Sequence, residues 1–246
     1  MATEKIVDAA EATRAHFDAE AADYDAQRPY RLHYAELQQV MLRAIPYPPE
    51  ASFIVLELGI GTGLLTEQLL GRFPHASVEA YDLSEEMLAR ARQRLAPFGR
   101  RIKLSSGDFS TTLPRATYDL ICSSLALHHL PRANRDRFYR RLAACLAPGG
   151  ALVVGDRIKA PTEGLAARYE AMRQLEMRER GWSEAVIAEQ RRQQEETRRR
   201  LAGVDHGAST LQEFLGYLCS AGLVNVDCLW KHGADVVVYA EQAAQV

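Results

Sequence analysis

Apolar and polar positions fall into alternating blocks along this chain, short apolar runs followed by stretches at helical spacing. Residues 53–58 read FIVLEL, a run with the β-branched Ile54 and Val55 at its centre, which suits a strand covered on both faces of a sheet. Leu64, Leu65, Leu69 and Leu70 then recur at helical spacing as far as Phe73, where Pro74 stops the helix. The pattern repeats. Strands are predicted at 77–81, 102–104, 118–122 and 151–156. Helices are predicted at 85–95 and 133–146, the second followed by the turn Pro148-Gly149-Gly150. Thr210 opens a last helix that ends near Gly222, and 223–230 and 235–239 predict two strands turning at Lys231-His232-Gly233. Strands alternating with helices in this order predict an α/β fold around a mostly parallel sheet.

The two ends of this pattern differ from its middle. Residues 3–26 read as an amphipathic helix with Ile6, Ala10, Phe17 and Ala21 on one side, broken at Arg28-Pro29 because proline disfavours the helical conformation in the residue before it. Tyr24, Tyr30 and Tyr34 cluster about this break, and a further helix at 35–45 runs into Pro46, Pro48 and Pro49. Residues 161–203 lose apolar content to Arg, Glu and Gln. Two helices fit there, 163–180 and 183–200, joined at Gly181-Trp182. Glu195 with Arg199, and Glu196 with Arg200, stand at supporting i,i+4 spacing. This insert reads as a solvated hairpin, a lid or a dimer arm. Its Arg191, Arg192, Arg198, Arg199 and Arg200 could touch RNA, but the glutamates between them argue against nucleic acid.

The chain has 246 residues, enough for one sizeable core with an appended subdomain, and a formal net charge of −2. That balance argues against a protein dominated by nucleic-acid binding. No apolar run is long enough to span a bilayer, and MATEKIVDAAEATRAHF has no secretory apolar stretch, so the expected location is cytoplasmic. Cys122, Cys145, Cys219 and Cys228 form no C-x-x-C pair and are expected to be reduced and mostly buried. No His/Cys spacing spells a metal site.

The chemistry concentrates at ELGIGTG, residues 57–63. Gly59, Gly61 and Gly63 sit between a strand and a helix start, where glycine admits positive φ or lets a ligand lie on the backbone. Leu64 stands where the dinucleotide fingerprint needs its third glycine, and the phosphate-loop lysine motif is absent. Asp82 ends the second strand about twenty residues on, where an acid can accept hydrogen bonds from ribose hydroxyls. Ser84 is the better cap for the helix that follows. Asp108-Phe109 follows the third strand. Ser124 and the pair His128-His129 follow the fourth, at the carboxyl edge where open α/β sheets place their chemistry. An imidazole there could serve as general base, or simply pack the crevice.

E-L-G-x-G-x-G, the acid at 82, Asp108 and the P-G-G turn together resemble the class I S-adenosylmethionine (SAM)-dependent methyltransferases. The resemblance implies a Rossmann-like, seven-stranded, mostly parallel sheet with helices on both faces and an antiparallel C-terminal hairpin. It implies a single domain over 1–246, with 1–34 as an N-terminal flap. The implied cofactor is SAM, leaving as S-adenosylhomocysteine (SAH), and the implied partner is a small-molecule acceptor. The cofactor site implied comprises Tyr34, Glu57, Gly59, Ile60, Gly61, Gly63, Asp82, Leu83, Asp108, Phe109 and Ser124. Arg28 is a further candidate, and His128 and His129 are the candidate catalytic pair. GWSEAVIAEQRR in the insert is similar to the matching region of carboxy-SAM synthases, in which an insert arginine reaches across a dimer interface to bind the extra carboxylate of carboxy-SAM. Arg191 falls at that place, so a homodimer through the insert is expected. The synthases carry a D-L-G-C-S-type first motif and an asparagine at the Ser124 position. Carboxy-SAM synthesis is therefore the alternative to methyl transfer, and a non-catalytic SAM-binding protein is another.

Overall fold

The computed structural model describes residues 2–200 and 207–244. Its centre is a seven-stranded sheet in the order β3-β2-β1-β4-β5-β7-β6. The strands are β1 (Ile54–Leu58), β2 (Ser77–Asp82), β3 (Ile102–Ser106), β4 (Tyr118–Ser124), β5 (Leu146–Arg157), β6 (Val224–His232) and β7 (Asp235–Glu241). The first five run parallel, and β7 pairs antiparallel with both β5 and β6. Strand order reverses between β1 and β4, so the crevice opens at their carboxyl ends, beside the glycine turn.

Nine α-helices are described. They are α1 (Ala2–Glu20), α2 (Tyr24–Gln27), α3 (Tyr34–Ala44), α4 (Leu64–Arg72), α5 (Glu85–Leu95), α6 (Arg135–Ala143), α7 (Glu163–Glu179), α8 (Glu184–Arg200) and α9 (Leu211–Ser220). Leu37 and Met41 of α3, Leu69 of α4 and Leu88 of α5 pack one face of the sheet against Val55, Val78 and Leu120. Phe138 and Leu142 of α6, with Phe214 and Leu218 of α9, cover the other against Leu56, Ile121 and Leu152. Both faces of β1 are thus buried, which is why its sequence is a continuous apolar run rather than an alternation. Among the described residues no helix is long and apolar enough to cross a membrane.

Several boundaries differ from the sequence expectation. The last turn falls at Gly233-Ala234, because Lys231 and His232 still pair with Val236 and Asp235 in β6. The N-terminal helix breaks at residues 21–23 rather than at Arg28-Pro29, because Pro29 fits the first turn of a short 3-10 helix, Arg28–Tyr30, where its missing N–H costs nothing. The helix expected at 133–146 ends at Ala143, and β5 starts at Leu146, ahead of the P-G-G turn. Gly149, at φ 75°, lets the strand jog, and Gly149 and Gly150 exchange hydrogen bonds with Gln242 before pairing resumes. Cys122 and Cys145 are buried as expected, but Cys219 is exposed and Cys228 half-buried. In the insert, Arg199 does meet Glu195 at 3.4 Å. Residues 201–203 and the Arg198 and Arg200 side chains lie outside the described residues.

Candidate functional site

The glycine turn folds back on the end of β2. Gly59 N–H and Ile60 N–H both donate to the Tyr81 carbonyl, at 2.8 and 3.1 Å. Gly59, Gly61 and Gly63 all take positive φ, between 56° and 85°, so the three glycines are there for backbone geometry first. Gly63 caps α4 and packs against Leu95, outside the cleft. Asp82 closes the turn from the other side. Its Oδ2 accepts from Gly61 N–H at 2.8 Å and its Oδ1 from Ser84 N–H at 2.9 Å. Ser84 caps α5 by accepting from Met87 N–H, which leaves Asp82 to the crevice. Burial raises the Asp82 pKa while its backbone donors oppose the shift.

Over this floor lies a cleft of about 780 Å³. Gly59, Gly61, Asp82, Leu83, Asp108, Phe109, Ser124 and His129 of the sequence candidates line it. Its roof comes from the N-terminal segment, through Ala10, Thr13 and Phe17 of α1 and Tyr24 of α2. That segment is fastened to the turn by Asp25, which accepts from Thr62 Oγ1 at 2.6 Å and pairs with Arg94. Asp18 accepts from Ser84 Oγ at 2.5 Å.

The fit of this cleft to a SAM-sized cofactor can be judged from its own polar atoms. Ser124 Oγ is buried and has no hydrogen-bond partner among the described residues, and buried hydroxyls are seldom left so. Asp82 keeps lone pairs beyond its two backbone bonds, enough to receive ribose hydroxyls. Phe109 offers a flat apolar wall beside Gly59, and the Asp108 carboxylate ties down the loop by accepting from Ser110 N–H at 2.8 Å. These residues fit an adenosyl group with an amino-acid tail.

Several candidates lie elsewhere. Tyr34 packs against the core, its hydroxyl accepting from Gln38 Nε2 at 2.9 Å, and the tyrosine of the cleft is Tyr24. Arg28 stands behind that tyrosine, its guanidinium 3.7 Å from the ring centroid. Ile60 is buried in the core below the turn. Arg191 is exposed on α8 and does not line the cleft of its own chain. The histidine pair divides. His129 faces the cleft and meets Phe17 edge-on, whereas His128 points away and engages Asp156 Oδ1 through Nδ1 at 2.6 Å.

Glu57 is likewise absent from the cleft. Its carboxylate is buried under the turn, bonded to the Thr66 hydroxyl of α4. Burial pushes its pKa to about 8; the Thr66 bond opposes this and the Asp82 charge adds to it. At pH 7 the folded carboxyl is protonated, whereas in the unfolded chain it ionises near ~4.3. The resulting stabilisation is fully present below the unfolded pKa and is lost as pH rises through about 8. Glu57→Gln should remove that loss. Urea unfolding should find stability close to wild type at pH 5 and higher than wild type at pH 8; identical pH slopes in the two proteins would refute the protonated state.

The sequence also gave no sign of Arg135. Among the described residues it is the largest buried side chain, donating to Leu130 and Gly207 carbonyls and, at 2.6 Å, to Ser209 Oγ. It sits beside His128, Asp156 and Arg157 in a smaller cavity behind the cleft.

A methyltransferase-domain family profile matches residues 55–150. The chain is similar to a trans-aconitate 2-methyltransferase of Variovorax paradoxus, at 38% identity over 151 residues, covering 60% of this chain and 52% of that protein. It is similar to an uncharacterized methyltransferase of Geobacillus thermodenitrificans, at 32% identity over 158 residues, covering 64% of this chain and 69% of that one. The chain thus spans about half the length of the trans-aconitate methyltransferases it matches. In fold it is similar to the DhpI–SAH complex, with a TM-score of 0.66 at 19% identity, covering 96% of this chain and 98% of the other.

Proposed function

This chain belongs to the class I SAM-dependent methyltransferases, and we propose that it transfers a methyl group from SAM to a small acceptor bearing a carboxylate. The observation that carries the cofactor half of this reading is the convergence of the glycine turn, Asp82 and the unpaired Ser124 hydroxyl on one cleft. When bound, SAM supplies a methyl on a sulfonium, a group already joined to a good leaving group. The chain's own task is to align the acceptor and exclude water. Asp82 would receive the ribose hydroxyls, Asp108 and Phe109 would hold the adenine, and Ser124 would meet the tail. The α1 roof would keep water out.

The acceptor half rests on cations. Arg28 stacks on the cleft's Tyr24. Arg31 reaches Asp235 Oδ1 at 3.2 Å, and Arg157 Nε stands 4.0 Å from the same oxygen. One carboxylate thus serves two guanidiniums. Arg157 follows Asp156 at the carboxyl end of β5. Its side chain is 45% exposed and lines the smaller cavity behind the cleft, beside His128 and Asp156. On this reading the acceptor's far carboxylate must extend from the cleft into that smaller cavity, where it would share Arg157 and Arg31 with Asp235. The trans-aconitate activity named for the relatives points the same way. A carboxylate acceptor is ionised at neutral pH and needs no general base. His129 would then pack the cleft, and His128 would position Asp156.

Steady-state kinetics with polycarboxylates against neutral phenols tests this reading. Arg157→Met should raise KM for the carboxylate about 10–150-fold, the loss of a charged hydrogen bond of ~1.5–3 kcal/mol, with SAH affinity unchanged. Preferred turnover of neutral acceptors would overturn it.

The proposal extends to a cytoplasmic protein that pairs with a second copy through the insert. Leu165, Met172 and Leu175 leave an exposed apolar row on α7, which a second copy would cover. Light scattering should return two chains; a monomer would remove the dimer, and with it any role for Arg191 in a partner's cleft.

A further inference from the structure

Outside the cleft, three separate stretches of chain bring ligand atoms to one point. His33 precedes α3, Glu176 lies on α7 of the insert, and His232 ends β6. Glu176 Oε2 stands 2.8 Å from His33 Nε2 and 3.3 Å from His232 Nε2. The two imidazoles lie face to face, 3.8 Å between centroids with planes 33° apart, so both present an edge to the same oxygen. We propose that His33, Glu176 and His232 bind one divalent transition-metal cation, zinc by preference, which pins the helical insert to the core.

The groups behind these ligands are already ordered for that task. His33 Nδ1 is 2.9 Å from Glu36 Oε2, so the tautomer that donates there turns the Nε2 lone pair toward Glu176. Glu36 is itself held by Trp230 Nε1–H at 3.2 Å. Arg180 donates to the other Glu176 oxygen, Oε1, at 2.6 Å, which leaves Oε2 to the imidazoles. A carboxylate behind a histidine and a fixed orientation for each ligand are the usual supports of a metal site.

Electrostatics and distance agree with this. With a proton on Nε2 each imidazole can donate to Glu176 Oε2, and a cation that replaces those protons would be bound by both imidazoles and the carboxylate at once. Ligands bonded to zinc at about 2.0–2.2 Å stand roughly 3.0–3.5 Å apart, within a few tenths of an ångström of the two separations seen here. Two imidazoles and one carboxylate suit zinc better than magnesium or calcium. Three protein ligands leave a position for water, and His232, 37% exposed, marks the way in.

The site also answers a packing deficit. Among the described residues of α7 and α8 only Met177 and Ile187 are buried, against Leu32 and Trp182. That is little apolar area to fix a two-helix insert. His33 moreover adopts a left-handed backbone at φ 62°, a strained state that its ring contacts must hold in place. A metal would tie the insert, the segment before α3 and the sheet edge at this strained residue.

The test is zinc titration of the full untagged chain after chelator treatment, read by competition with a chromophoric chelator, with cobalt as the spectroscopic probe. One equivalent per chain should bind, saturating zinc should raise the unfolding temperature, and cobalt should give a visible band. Glu176→Gln and His232→Ala should each lose at least about a hundredfold in affinity, and Glu36→Gln about tenfold, with SAH binding retained as the control for folding. X-ray absorption at the zinc edge should count two imidazole ligands. Binding below one equivalent, affinity unchanged in His232→Ala, or a shell without imidazole would overturn the proposal, and the first and last of these, read on the wild type, stand even if a variant fails to fold.

Discussion

Alanine at position 59 should cost the protein about 2–5 kcal/mol of stability, and SAH binding should fall below detection. Two costs add. Gly59 holds φ at 72°, a left-handed conformation that disfavours an L-residue by about 1–2 kcal/mol. A Cβ built there would stand 2.3 Å from the Ala126 Cβ, where carbon atoms normally stop at about 3.5–4.0 Å. Overpacking of that kind costs about 1–3 kcal/mol. Relief requires moving either the turn or the segment after β4, and both line the cleft. Gly61→Ala is the control. Its φ is 56°, but its nearest neighbour is Tyr24 Cε1 at 3.9 Å, so only the backbone cost applies. Urea unfolding of the two variants, with calorimetric titration of SAH into each, checks the argument. Equal losses would show that the contact with Ala126 is not what requires glycine.

How far the sequence carries to the site depends on what each residue type can do. Three glycines at alternate positions after an apolar strand have few uses, and the turn stands where they put it. Asp82 was legible because it ends a strand at a fixed distance from that turn, while Ser84 could take the cap. Glu57 lies outside the cleft for a physical reason that its sequence context does not carry. In a strand buried on both faces no position alternates toward solvent, so nothing in FIVLEL says that the carboxylate points under the turn instead of into the cleft. His128 and His129 share a 3-10 turn, which advances about 120° per residue. One therefore meets the cleft and its neighbour meets Asp156, and the doublet itself does not say which. Tyr24 replaced Tyr34 because the helical phase resets at residues 21–23. Arg135 lies in the run NRDRFYRR, where every charge resembles a surface charge until α6 is docked. The His33, Glu176 and His232 cluster had no spacing to read, because its members come from three distant stretches of chain.

Asp82→Ala should weaken SAH binding about 10–150-fold, the equivalent of ~1.5–3 kcal/mol for hydrogen bonds to a charged group. The carboxylate has two duties in the structure, and the experiment must separate them. It holds the turn through Gly61 N–H and Ser84 N–H, at 2.8 and 2.9 Å, and it lines the cleft with spare acceptor capacity. If the turn were its only duty, Asp82→Ala would weaken every ligand alike. If it receives ribose hydroxyls, the loss depends on the ligand having them. SAH and its 2′-deoxy analogue, titrated into wild type and Asp82→Ala, form a cycle whose coupling isolates the second duty. The wild type should prefer SAH by about tenfold or more, and the variant should bind the two ligands with nearly equal affinity. A preference that survives intact in Asp82→Ala would assign the ribose to another residue. Asp82→Asn sharpens the reading, because its single carbonyl oxygen can hold one backbone donor but cannot also receive the pair of hydroxyls. That variant should lose one of the two turn bonds, about 1–3 kcal/mol of stability by urea unfolding, and, like Asp82→Ala, should bind SAH and its 2′-deoxy analogue with nearly equal affinity.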